Sequence, residues 1–243
     1  MHDGNGFSYT NITIINCHAT SSGGHNINSK CGGITGRYFG QIYSRCYIYD
    51  CSCDIMIGGT QGGGITGWRA GYNNGYVWIE NCRSYCDMDA QLYCGGISGS
   101  NTARQNGFVV IINCIYDNAT TALVNSGGIA GHRAAGMEGT LYIINCLSRC
   151  TVGNNSGGFL GDKTACGDPN YNGGHISIIN SCFIGDKSGT TDNGYISGLN
   201  TFEKGGSIFC KNVYCVTDLS SAIGYYSTAN GKEDAPGSDG YTT

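Results

Sequence analysis

Proline is almost missing from this 243-residue chain, at 2 residues, and charge is scarce. Asp, Glu, Lys and Arg make up 12%, where roughly a quarter is usual. Long runs of Ala, Leu, Glu and Lys are also absent, and glycine interrupts every window of about 20 residues, which excludes long helices. No apolar stretch reaches the roughly 18 residues of a membrane span. The opening Met1-His2-Asp3-Gly4-Asn5-Gly6 has neither the basic region nor the apolar run of a secretory leader. A formal charge of -4 gives no electrostatic footprint for nucleic acid.

Glycine is abundant, at 42 residues, but it follows no triplet and has almost no proline beside it, so collagen is excluded. Tyrosine at 17 and cysteine at 15 exclude a disordered low-complexity chain. An odd cysteine count leaves at least one thiol unpaired or bonded to another chain. Cysteine usage points to an oxidising compartment and the missing leader away from it, so disulfides and free thiols both stay open.

The sequence repeats. Ile14-Ile15-Asn16-Cys17 returns as Ile48-Tyr49-Asp50-Cys51, Ile79-Glu80-Asn81-Cys82, Ile111-Ile112-Asn113-Cys114, Ile143-Ile144-Asn145-Cys146 and Ile178-Ile179-Asn180-Ser181. A worn copy surrounds Lys211-Asn212-Val213. The Asn/Asp steps are 34, 31, 32, 32, 35 and 32 residues. In phase with them run Gly32-Gly33-Ile34-Thr35-Gly36, Gly63-Gly64-Ile65-Thr66-Gly67, Gly95-Gly96-Ile97-Ser98-Gly99, Gly127-Gly128-Ile129-Ala130-Gly131, Gly157-Gly158-Phe159-Leu160-Gly161 and Gly194-Tyr195-Ile196-Ser197-Gly198.

Counting back from the cysteine, the third residue is always Ile, and the fifth is Ile12, Cys46, Val77, Val109, Leu141 or Ile176. The positions between them are mixed. One strict and one permissive face at period two is a strand. Each unit reads as strand, turn, strand and glycine-rich loop. A unit this short buries its apolar face only by stacking on a neighbour. The expected fold is therefore all-β: a parallel β-helix (β-solenoid) of about seven repeats of about 32 residues. It would span 1–228, with a polar tail or cap over 229–243. Spacing leaves open one wide coil or two narrow ones per repeat. The Asn/Asp column falls on the inward parity and is expected to form a ladder of side-chain amides. The Gly-Gly pairs are expected at corners, where glycine permits positive φ and close approach between coils.

The Ile-Asn-Cys and Gly-Gly-Ile-x-Gly strings resemble the GLUG-type repeats of bacterial surface and adhesin-like proteins. They are also similar to β-helical repeats of some giant viruses and protists. The resemblance covers residues 11 to 200 and implies a right-handed parallel β-helix on a surface, fibre or particle. The chain departs from the GLUG pattern in carrying Ile where Leu-Val is usual, and in its extra cysteine.

Few residues suggest chemistry. Cys17, Cys51, Cys82, Cys114 and Cys146 share a column; they read either as stacked buried thiols or as disulfides between coils. Cys51-Ser52-Cys53 and Cys82 with Cys86 lack a second metal-binding pair, and the five histidines show no ligand spacing, so no metal or cofactor is expected. Acids are scattered, with Asp87 and Asp89 the closest pair, so no catalytic residue is assigned. Tyr47, Tyr49, Trp78 and Tyr142 lie on the outward parity and are expected to form an aromatic stripe for glycans or lateral packing, unless a loop covers them. Arg37, Arg69, Arg104, Arg133 and Lys163 follow the glycine strings as a basic column, able to hold anionic sugars or to pair with Asp162 and Asp168. An ordinary solvated rim is the plainer reading.

Strand edges at solenoid ends invite a further coil. The expected function is a non-catalytic structural or adhesive protein of a fibre, particle shell or cell surface. It would associate with copies of itself, and with glycans or other surface proteins, in an extracellular, cell-surface or virion setting. The alternative is a carbohydrate-active β-helix enzyme, a lyase or glycoside hydrolase, which would need two or three carboxylates in one groove.

Overall fold

The computed structural model describes residues 10–21, 26–88, 92–186, 188, 193–202, 204–216, 226–228 and 231–233. Asp89, His2, His25 and most of the 229–243 tail lie outside them. The described residues contain strands and turns and no helix.

Five coils open with a five-residue strand: β1 (Asn11–Ile15), β3 (Arg45–Tyr49), β5 (Tyr76–Glu80), β7 (Phe108–Ile112) and β9 (Thr140–Ile144). After a bend, a second strand follows each: β2 (His18–Thr20), β4 (Ser52–Asp54), β6 (Arg83–Ser84), β8 (Ile115–Leu123) and β10 (Leu147–Val152). In β11 (His175–Ile184) and β12 (Ser207–Val216) the two halves run together. All these strands pair in parallel with the next coil, in one sheet wrapped around the axis. The glycine strings form a third, shorter ladder of parallel bridges, Gly32 to Gly63 to Gly95 to Gly127 to Gly157 to Gly194. Outside the solenoid, β13 (Tyr226–Thr228) and β14 (Gly231–Glu233) pair antiparallel.

The register settles the coil count. Ile79 pairs with Ile111, and Ile111 with Ile143, so each repeat is one wide coil. Six coils stack, and β12 opens a seventh. The interior is three apolar columns. Val77, Val109, Leu141 and Ile176 form one, Ile79, Ile111, Ile143 and Ile178 another, and Ile65, Ile97, Ile129 and Phe159 the third; all are at most 1% exposed. Each buried aliphatic side chain removes enough apolar surface to contribute about 1.5–3 kcal/mol. At the first coil, Ile12 belongs to the first column yet is 41% exposed, because β1 pairs on one side only among the described residues.

The Asn/Asp column is placed differently from the sequence expectation. Asn16, Asp50, Asn81, Asn113, Asn145, Asn180 and Asn212 all have φ between 49° and 55° and are exposed. Strict alternation would turn them inward. A left-handed residue reverses the chain's direction, so the asparagine faces solvent and the following cysteine faces the core. Asn and Asp tolerate this conformation better than other side-chain-bearing residues. The ladder of amides does form, on the outside: Asn81 Nδ2 donates to Asp50 Oδ1 (3.2 Å), Asn145 to Asn113 (3.2 Å) and Asn212 to Asn180 (2.9 Å).

The bend also explains the cysteines. Each column thiol donates to the carbonyl two residues back, at 3.1 Å for Cys51 to Tyr49, 3.3 Å for Cys82 to Glu80 and 3.2 Å for both Cys114 to Ile112 and Cys146 to Ile144. Ser181 does the same to Ile179 at 2.9 Å, which is why serine can stand in this column. All fifteen cysteines are free thiols.

The Gly-Gly pairs need glycine for close approach and not for positive φ, which their residues do not adopt. A Cβ on Gly33, Gly64, Gly96, Gly128 or Gly158 would strike the inward side chain of Cys53, Ser84, Tyr116, Ser148 or Phe183 respectively. The left-handed corners fall on the next column instead, at Tyr38, Arg69, Asn101, Arg133, Lys163 and Asn200.

Candidate functional site

The first strand of each coil presents alternate residues outward, and parallel register aligns them coil upon coil. Tyr47 lies beside Trp78, Trp78 beside Val110, and Val110 beside Tyr142. Tyr49 lies in the neighbouring column, beside Glu80. All four expected aromatics are thus on one face, half-buried.

Two further rings join them. Tyr76 and Phe108 occupy the outward column two residues earlier and were missed by the sequence reading, although the same parity count extended by one step reaches them. The result is a chain of rings over four coils. Tyr49 stacks on Tyr47 with centroids 6.2 Å apart, and Tyr47 meets Tyr76 at 6.0 Å. Tyr76 stacks on Phe108 at 5.4 Å, and Phe108 meets Tyr142 at 5.6 Å. Such spacings are those of favourable offset and tilted aromatic pairs. Trp78 stands outside the chain, its indole N–H donating to Glu80 Oε2 at 2.8 Å.

Two phenols on this face, Tyr49 and Tyr76, stay protonated. Tyr49 is raised above the usual range by lost solvation first and by the Glu80 carboxylate second. Tyr76 is raised by lost solvation and then by Tyr47 and Tyr49. They are therefore hydrogen-bond donors over the whole neutral range.

An open groove of about 790 Å³ runs along the edge of the stripe. Tyr76 and Phe108 form its wall on the aromatic side, and Asn11, Asn74, Asn106 and Arg45 supply its polar lining. Among the described residues the groove lining includes no carboxylate.

The basic residues do not form one straight column. Arg69, Arg133 and Lys163 share the left-handed corner, whereas Arg37 precedes it and Arg104 lies three residues beyond it. Arg69 stacks over Trp68 (3.9 Å) and Tyr72 (4.3 Å). Arg104 reaches Asp168 at 3.8 Å. His132 Nε2 is 3.6 Å from Asp162 Oδ2, yet the imidazole is neutral: its pKa falls to about 3, through burial first and then Arg133, Lys163 and Arg104. Among the described residues no group of three or more His, Cys, Asp or Glu is placed to hold a metal ion.

Compared with protein-family models, curated proteins and solved structures, the chain matches none of them. Among the described residues no helix is long and apolar enough to cross a membrane.

Proposed function

We propose that this chain is a non-catalytic, adhesive or structural β-solenoid of a fibre, particle shell or cell surface, and that its aromatic face and adjoining groove dock on carbohydrate. The observation that carries this reading is the run of five rings, Tyr49 to Tyr142, set beside a groove lined by asparagines. Flat rings stack on the apolar faces of sugars, and amides and phenols bond their hydroxyls. The rigid coil spacing repeats these contacts along the axis, which suits a polymeric ligand. The GLUG-like repeat strings point the same way.

A second association surface has its own support. Ile12 and Ile15 are 41% and 54% exposed on the first coil, and Phe209 and Tyr214 are 56% and 58% exposed on β12. Copies of the chain stacking coil on coil would bury these residues and satisfy the strand edges.

A glycan array followed by titration calorimetry tests the main reading. Wild-type protein is expected to retain a neutral polysaccharide, and the Tyr76→Ala/Phe108→Ala pair to lose at least tenfold in affinity, the scale of about 1.4 kcal/mol or more for two stacking platforms. Release of new reducing ends from any arrayed glycan would instead establish the enzyme.

A further inference from the structure

We infer that the cavity between Arg104, Arg133 and Lys163 is a binding site for an oxyanion: a sulfate, phosphate or carboxylate group. It shares no lining residue with the aromatic groove and does not depend on the reading above.

The cavity exists because one coil breaks the repeat. From the first glycine of the string to the next Asn/Asp, four coils take 18 residues each (32 to 50, 63 to 81, 95 to 113 and 127 to 145), but the fifth takes 23, from Gly157 to Asn180. The surplus forms a small loop closed by reciprocal backbone hydrogen bonds of Asp168 and Tyr171, at 3.1 and 3.2 Å. Asn170 N donates to Asp168 Oδ1 at 3.0 Å and holds the turn. The loop rises along the outside of the stack until Asp168 meets Arg104, which belongs to a coil two levels away. Gly136, on the coil between, has no side chain to fill the gap between Cys166 and Arg104. What remains is a cavity of about 220 Å³ walled by Arg104, Arg133, Lys163, Cys166, Gly167 and Asp168.

Its charge is unbalanced. Three cations from three successive coils line the cavity with one carboxylate, Asp168, and the buried Asp162 carboxylate lies beside His132. Arg133 and Lys163 have no carboxylate partner among the described residues. Arg104 is only 15% exposed, and its contact with Asp168 is long, at 3.8 Å. Its Nη1 donates to Asn101 Oδ1 at 3.0 Å, which fixes the guanidinium and leaves it further N–H donors. Burial and the nearby Arg133 both work against the Arg104 charge, and burial, then the same cations, hold His132 neutral. Three cations held this close, in a chain of net charge -4, are stabilised when an anion settles among them. The size suits one acidic group and is too small for a whole drug-sized ligand, which fills roughly 300 Å³ or more.

The test is thermal melting and calorimetry of the intact chain with sodium sulfate, against sodium chloride at equal ionic strength. Sulfate is expected to raise the melting temperature beyond the chloride control, as binding to the folded state must. The R133A/K163A variant is expected to weaken sulfate binding about tenfold per cation removed. Lys211→Ala, an exposed cation on another face, keeps the full effect. A sulfate increment that equals the chloride control, or that survives unchanged in R133A/K163A, overturns the site. A third arm compares a sulfated oligosaccharide with its desulfated form. Affinity more than tenfold above inorganic sulfate, lost on desulfation, identifies the anion as one carried on a glycan; equal affinity identifies a free oxyanion. Should R133A/K163A fail to fold, Lys163→Gln alone is expected to show the single tenfold step.

Discussion

The sulfur of Cys86 lies 3.2 Å from that of Cys53, one coil away, and both side chains are fully buried. The hydrogen bond with Cys86 and then burial push the Cys53 thiol upward, so it is not a reactive thiolate at neutral pH. The two sulfurs need to close by only about 1 Å to reach bonding distance. Treatment with diamide, which accepts the two hydrogen atoms, is expected to remove 2 Da from the chain and to link the peptides containing Cys53 and Cys86. The bond would close a loop of about 34 residues and raise stability by about 4 kcal/mol. Peptide mapping checks the link, and Cys53→Ser must abolish it.

The core columns give a graded expectation. Ile111 is fully buried with a coil on either side, so Ile111→Ala should cost about 2–5 kcal/mol. Ile12, in an equivalent inward column but 41% exposed, should cost well under half of that. Urea unfolding of both variants decides; equal losses would mean that the first coil is covered in solution.

The external amide ladder predicts an unusual rank order at Asn113, whose φ is 53°. Asn113→Gly keeps the left-handed bend and loses one amide rung, a change within about 1 kcal/mol. Asn113→Val must force a β-branched residue into that bend and is expected to cost about 1–2 kcal/mol more. A valine variant as stable as the glycine variant would remove the bend from the account.

Acid should loosen the fold through His132. Its folded pKa, about 3, lies below the ordinary value near 6.5. The unfolded chain therefore takes up a proton that the folded chain refuses. The stability contribution is complete above about pH 6.5 and is lost as pH falls towards 3, by an amount on the order of 4 kcal/mol at the lower limit. Denaturant midpoints between pH 7 and 4 should fall for wild type and fall less steeply for His132→Gln.

These residues also show what could be read in advance. The isoleucine columns and the outward Tyr47, Trp78 and Tyr142 follow from period-two counting, because parallel register preserves face from coil to coil. Asn113 and its equivalents were misplaced for the same reason: counting by twos assumes extended backbone throughout, and one left-handed residue shifts the phase. Tyr76 and Phe108 carry a second lesson, since they lie on the same parity but beyond the strand as it was counted. The oxyanion cavity was hidden by compensation. The fifth coil gains five residues after its glycine string, but the stretch before that string, from Asn145 to Gly157, is 12 residues where Asn113 to Gly127 is 14. The overall step of 35 residues conceals two of the five inserted residues.

One coil per repeat has a consequence for how such a chain can change. Removing or duplicating an entire period rejoins surfaces that already match, so the molecule can be shortened or lengthened in fixed increments of about 4.8 Å without redesigning its interior. A deletion of a single amino acid inside a strand has no such neutral outcome, since it turns every later side chain of that strand to the wrong face. Variation in reach is therefore easy for this architecture, and variation in girth is hard.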